Sequence, residues 1–146
     1  MTLARLIDSG QDGRVVEQIG CSYRYRLIRV YSDMAFANPS SLEIYSRFVR
    51  QMPKIPPDER RDLIFDFERV LQIDSGGLAY LLKFGNAKVW LGRKARERLG
   101  RKAILKPRRL VICCAGQRIM HQFQILGVEK AFEFYDSTGQ ALEQYQ

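Results

Sequence analysis

Between Leu63 and Leu82 the hydrophobic pattern of this chain changes period once, and that change limits what the rest can build. Leu63-Ile64-Phe65-Asp66-Phe67 is apolar at four of five positions. Such a run has the composition of a strand covered on both faces and is too short for a helix. Further on, Leu78, Leu81, Leu82, Gly85 and Val89 recur at intervals of three and four, which places them on one helical face. The pattern therefore predicts a central strand, a loop, and a helix opening at Asp74-Ser75-Gly76-Gly77. That helix is expected to reach about Leu91, beyond which Gly92, Gly100 and Pro107 break the pattern.

The first turn of a helix leaves backbone N–H groups unpaired, and Asp or Ser side chains accept hydrogen bonds from them. Ser75 thus has a structural reading as a helix cap. The same N–H groups and the positive end of the helix dipole also favour a phosphate at that corner. A phosphorylated Ser75 would add a charge of about −1.5 to −2 beside Asp74 and alter any docking surface there. The two readings are compatible.

Strand, short loop, Ile73-Asp74-Ser75-Gly76-Gly77-Leu78 and amphipathic helix together resemble the STAS domain, the family of anti-sigma factor antagonists. In that family the serine directly after this aspartate is phosphorylated, and the resemblance carries that role to Ser75. Asp74 is then the preceding acid, and Gly77-Leu78 the motif's Gly-Leu. The family commonly has a second Ser or Thr where this chain has Gly76. Tyr31 to Met52 follows the family layout of strand, small Ala- and Asn-containing loop and returning helix. Gln117 to Leu142 resembles its C-terminal third, with a helix ending near Leu126-Gly127, a short aromatic strand, Asp136-Ser137 and a closing helix. In all, the likeness spans roughly Tyr23 to Leu142.

A length of 146 residues suits one domain, and 46% apolar residues supply a substantial core. No run of eighteen apolar residues occurs and the first residues lack an apolar signal region, so a cytoplasmic chain is expected. Cys21, Cys113 and Cys114 show no Cys-x-x-Cys spacing. Within a strand Cys113 and Cys114 would point to opposite faces, which suits neither a shared metal nor a disulfide. Asp66, Glu68 and Asp74 read as loop caps and solvent contacts in place of a divalent-metal site. The net charge of +8 is concentrated, because Lys83 to Arg109 holds eleven Lys or Arg against Glu97 alone. Part of this charge suits a helix C-terminus. Arg101, Lys102, Arg108 and Arg109 are candidate anion-binding residues, for nucleic acid, acidic protein or anionic lipid.

The remaining segments complete an α/β pattern. Residues 2 to 31 contain strand candidates separated by turn compositions and read as a hairpin, in which Tyr23, Tyr25 and Leu27 share one face and Arg24 and Arg26 the other. Asn38-Pro39-Ser40-Ser41-Leu42-Glu43 is a helix start, with Leu42, Tyr45, Val49 and Met52 as the expected apolar stripe. Pro53, Pro56 and Pro57 stop that helix. Leu110 to Ala115 reads as a second buried strand, followed by a helix with Ile119, Met120, Phe123 and Leu126 on one face and Gly127 as terminator. Ser137 and Gln140 make a capping box for the last helix.

The fold expected from the resemblance is an α/β STAS-like domain over residues 1–146. It would have a mixed sheet of four or five strands, helices mainly on one side, and a basic insertion at about 92–109. Neither a triad nor zinc-ligand spacing nor a phosphate-binding glycine loop is present in the sequence. No cofactor and no enzymatic activity are expected. The resemblance implies a partner-switching protein. Unphosphorylated, it binds a kinase-type anti-sigma factor through Asp74, Ser75, Gly76 and Gly77; phosphorylation at Ser75 releases it, and a phosphatase restores it. Other proteins of the same pathway are further partners. Two alternatives stand beside this reading. One is a constitutive STAS scaffold in a lipid-transport ATPase or sensory assembly. The other is a binder of anionic polymer or membrane through the basic segment 83–109.

Overall fold

The structure, a computed structural model, describes residues 13–38, 40, 42–56, 59–85 and 108–146. Five strands form one mixed sheet in sequential order: Val16–Cys21 (β1), Tyr25–Val30 (β2), Asp62–Asp66 (β3), Leu110–Cys113 (β4) and Glu133–Tyr135 (β5). β1 and β2 are antiparallel, and every later neighbour is parallel. Parallel neighbours cannot be joined by a tight turn, so the chain crosses over between them. The helices Leu42–Gln51 (α1), Ser75–Leu82 (α2) and Gln117–Ile125 (α3) lie in those crossovers, and Thr138–Glu143 (α4) closes the chain. The expected α/β architecture, central strand and terminal helix are all present, and β3 is the middle strand of five.

Alternation along the strands sorts the sheet into two faces. Ile28, Val30, Leu63, Phe65, Leu110 and Ile112 join Phe48 of α1, Leu78 and Leu81 of α2, and Ile119 and Phe123 of α3 in the larger core. The intervening residues Leu27, Ile64, Val111 and Cys113 form a smaller core with Ala141 and Leu142 of α4. Among the described residues, three helices therefore cover one face and one short helix the other. Buried area stabilises at roughly 25 cal/mol per Å² of apolar surface, so the three-helix face supplies the greater share of the hydrophobic stabilisation.

Three expectations are corrected. The stripe of α1 is rotated: Leu42 and Val49 are exposed, while Phe48 and Met52 are buried with Ile44 and Tyr45 against the core. Both stripes obey helical spacing, but Phe48 has more surface to bury than Val49 and sets the orientation. α2 ends at Leu82, well before Leu91, and passes into a tight turn in which Phe84 N–H donates to Leu81 O and Gly85 N–H to Leu82 O. A Cβ on Gly85 would stand 2.5 Å from Leu110 Cδ1, so a larger residue there would have to displace that buried side chain. Tyr23 precedes β2 and is 86% exposed, so only Tyr25 and Leu27 share the predicted face. Val89 and the expected insertion up to residue 107 lie outside the described residues, as do residues 2–12 of the expected hairpin.

Candidate functional site

The corner between β3 and α2 is built by two aspartates that bind each other's loops. Asp74 sits in extended conformation as the N-cap of α2, and its Oδ1 accepts from Gly77 N at 2.9 Å. The same oxygen accepts from Phe36 N at 3.0 Å, and Oδ2 accepts from Ala37 N at 2.9 Å. Reciprocally, Asp33 Oδ1 accepts from Leu71 N at 2.8 Å and Gln72 N at 3.2 Å. A short parallel bridge, Met34 N to Gln72 O at 3.0 Å and Asp74 N to Met34 O at 3.2 Å, ties the two segments between these carboxylates. An ionised carboxylate accepting several backbone N–H groups is among the stronger neutral-donor arrangements available to a loop.

The two glycines after Ser75 are needed for this approach. A Cβ on Gly77 would meet Met34 O at 2.1 Å, and one on Gly76 would meet Ala37 N at 2.7 Å. The absence of a second hydroxyl residue at position 76 thus has a local cause: the 34–37 loop lies directly on that backbone. Asp74, Ser75, Gly76 and Gly77 are brought together as expected, but the cap is Asp74, not Ser75. Ser75 is the first helical residue, it is exposed, and its hydroxyl makes no hydrogen bond to a described residue.

Beside Ser75 an open groove of about 440 Å³ is lined by Phe36, Ala37, Asn38, Leu42, Tyr45 and Gly76. Its floor is mechanically coupled to both helices. The Phe36 ring packs edge-on against Tyr45, Phe48 and Tyr80, with centroid separations of 5.3, 4.9 and 5.6 Å. Burial pushes the Tyr80 phenol above its usual range, so it stays neutral. Lys83 Nζ lies 4.3 Å from the Tyr80 centroid, and burial lowers its ammonium pKa. Asp33, Phe36 and Ala37 were not singled out by the sequence pattern. Their partners at Asp74, Leu71 and Gln72 are 37 to 39 residues away, and no local signal records such a pairing.

The other candidate residues are placed as follows. Arg108 is turned inward, donating to Phe84 O at 2.7 Å, Pro56 O at 3.0 Å and Glu59 O at 2.8 Å. Arg109 pairs with Asp62 at 2.9 Å and Glu133 at 2.5 Å, and also donates to Gln144. Both cations are held within the fold, while Arg101 and Lys102 lie outside the described residues. Arg109 holds the Glu133 carboxyl below its ordinary range, and Arg26 does the same for Glu59 through bonds of 2.7 and 2.6 Å.

The expectation that Cys113 and Cys114 point to opposite faces is overturned, while all three cysteines are free thiols. Cys113 ends β4, and Cys114 leaves the strand with φ +65°, so the two thiols turn toward one another's surroundings. Cys113 Sγ and Cys114 Sγ lie 3.4 and 3.8 Å from the same Thr138 hydroxyl. Burial pushes the Cys113 thiol up to about 12. Asp66 is also buried, accepting from Arg29 Nε at 3.0 Å and Glu68 N at 3.0 Å, so solvent contact does not account for it. His121 is exposed. No described helix is long and apolar enough to cross a membrane.

No family model matches the chain, and no curated protein matches it. Among solved structures it is similar to an anti-sigma-factor antagonist (STAS) domain protein from Planctomyces limnophilus, with a TM-score of 0.53 and 14% identity. The likeness covers 86% of this chain and 92% of that one. At this identity what is shared is the fold, and the chain has the STAS fold.

Proposed function

From the STAS fold and the exposed serine at its β3–α2 corner, we propose that this chain is an anti-sigma factor antagonist or a related partner-switching protein. In this reading it works in the cytoplasm, and the unphosphorylated form binds a kinase-type anti-sigma factor across the groove beside Ser75. Phosphorylation of Ser75 breaks the complex, and a phosphatase restores it. The protein is a substrate and a binding partner, with no catalysis of its own.

The observation that carries the reading is the division of labour between Asp74 and Ser75. Asp74 takes the cap and both loop contacts, and the hydroxyl next to it makes no hydrogen bond to a described residue. A modification there leaves the corner's own hydrogen bonds intact. It does place about −1.5 to −2 of charge at the rim of an apolar groove and next to a carboxylate. Burying that charge in a complex without cationic partners costs several kcal/mol, and ~1.4 kcal/mol already changes affinity tenfold.

The test begins with intact-mass spectrometry of the protein from its own cells, with fragmentation to locate any phosphate. A fraction carrying one phosphate at Ser75, lost in Ser75→Ala, is the expected result. Ser75→Asp is expected to weaken capture of the kinase-type partner by tenfold or more. A chain unmodified across growth and stress, together with unchanged partner affinity in Ser75→Asp, would overturn the switch and leave a constitutive scaffold.

A further inference from the structure

We propose that Asp66, Cys113 and Cys114 form a binding site for one thiophilic divalent cation of the zinc class. The site is assembled by strand register. Arg29, Asp66 and Cys113 are consecutive partners across β2, β3 and β4, on the face covered by α4. The left-handed turn at Cys114 then returns the next thiol to the same place. The two sulfurs and one carboxylate oxygen all lie within 4.8 Å of one another. Around tetrahedral zinc, with Zn–S bonds of about 2.3 Å, two sulfurs stand about 3.8 Å apart, so closure asks for movements of about 1 Å or less.

Three further features fit a cation of this class. The first is charge: two thiolates and one carboxylate are balanced by a divalent cation together with the Arg29 guanidinium 3.0 Å from Asp66, so the loaded site is neutral where it is buried. The second is ligand type, because soft sulfur donors select zinc-like and copper-like ions over magnesium or calcium. The third is support from outside the ligand set. Thr138 Oγ1 is in reach of both sulfurs, and Arg29 and Glu68 N fix the carboxylate while each of its oxygens keeps a lone pair free. Cys114 is partly exposed, which opens the cluster to solvent, and a water fills the fourth position. Binding releases two protons, one from each thiol, as both become thiolate ligands.

The test uses the reduced full-length protein after chelator treatment. Titration with cadmium is read by the ultraviolet sulfur-to-metal charge-transfer band, and zinc affinity by competition with a chromophoric chelator. One equivalent of metal and two released protons are expected. Cys114→Ser and Asp66→Asn should each weaken zinc by tenfold or more, and Arg29→Met by about 10–100-fold, as for outer-shell partners elsewhere. Cys21→Ser should change nothing, since Cys21 is exposed at the end of β1. Cys114→Ser alters a partly exposed residue and so keeps the test open should Cys113→Ser fail to fold. No charge-transfer band at stoichiometric cadmium would overturn the site. So would a band that survives Cys114→Ser and disappears in Cys21→Ser.

Discussion

The dipeptide Asp-Ser opens two helices in this chain and is used differently each time. At α4, Ser137 is the N-cap, accepting from Gln140 N at 3.1 Å, while Gln140 Oε1 accepts from Asp136 N at 3.1 Å. At α2 the frame is shifted by one residue: Asp74 is the cap and Ser75 is already helical. The third helical position decides between them. In α4 it is Gln140, whose N–H donates to Ser137 Oγ and whose side chain accepts from the N–H of Asp136, one residue before the cap. In α2 it is Gly77, which offers no side chain but admits the backbone of Met34. One serine is therefore locked into the fold, while the other makes no hydrogen bond to a described residue and stands next to Gly76, which lines an apolar groove.

The sharpest way to break the comparison is at the glycines that follow the two dipeptides. Gly77→Ala drives a Cβ to 2.1 Å from a backbone carbonyl that two loops hold in place, and should cost about 3 kcal/mol through overpacking. At Gly139 the nearest atom to an added Cβ is Ser137 Oγ at 3.8 Å, an ordinary contact, so Gly139→Ala should stabilise by about 0.4–1 kcal/mol. Urea midpoints of the two variants should move in opposite directions. The aspartates come next. Asp74→Ala removes the cap and strands the part-buried Phe36 N–H, for a loss of about 2 kcal/mol, whereas Asp136→Ala should stay within about 0.5 kcal/mol. Equal losses at the two aspartates would remove the distinction.

How far the sequence carries the reader depends on how local the cause is. The central strand and both Asp-Ser helix starts are legible because burial on two faces and helical spacing leave their marks within a few residues. The face-sorting of β3 and β4 follows from the same period. Which residue caps α2 is not legible, since the choice depends on Phe36 and Ala37, placed against Asp74 only by the folded sheet. The α1 stripe shows a second kind of failure: two overlapping sets obey one period, and side-chain size selects between them. The cysteines show a third. Opposite-facing neighbours hold only while a strand continues, and the positive φ of Cys114, a residue type that rarely adopts it, ends the strand at that point.

A smaller effect separates the two helices by acid. Arg109 depresses the pKa of Glu133, so the pair's contribution is present above the ordinary carboxylate range and is lost as pH falls through the depressed folded value. Arg109 also reaches Gln144 just beyond α4, and Tyr145 donates to Asp62 at 2.7 Å. Acidification should therefore raise amide exchange in α4 before α2. Because the Glu133 side chain is 42% exposed, solvent screening keeps the effect small, and Arg109→Met should abolish the order of release.

The smallest expected effect bears most directly on function. Ser137→Ala removes a side-chain cap and should cost about 1 kcal/mol. Ser75→Ala removes a hydroxyl without a described hydrogen-bond partner and should stay within about 0.5 kcal/mol, even though it alters the same dipeptide at the start of a more buried helix. A loss near 1 kcal/mol at Ser75 would make it a second cap and return it to the fold. A value near zero leaves the residue free of structural duty. Any effect of Ser75→Ala on partner binding would then be assigned to the surface of the groove, with the stability of the protein held constant.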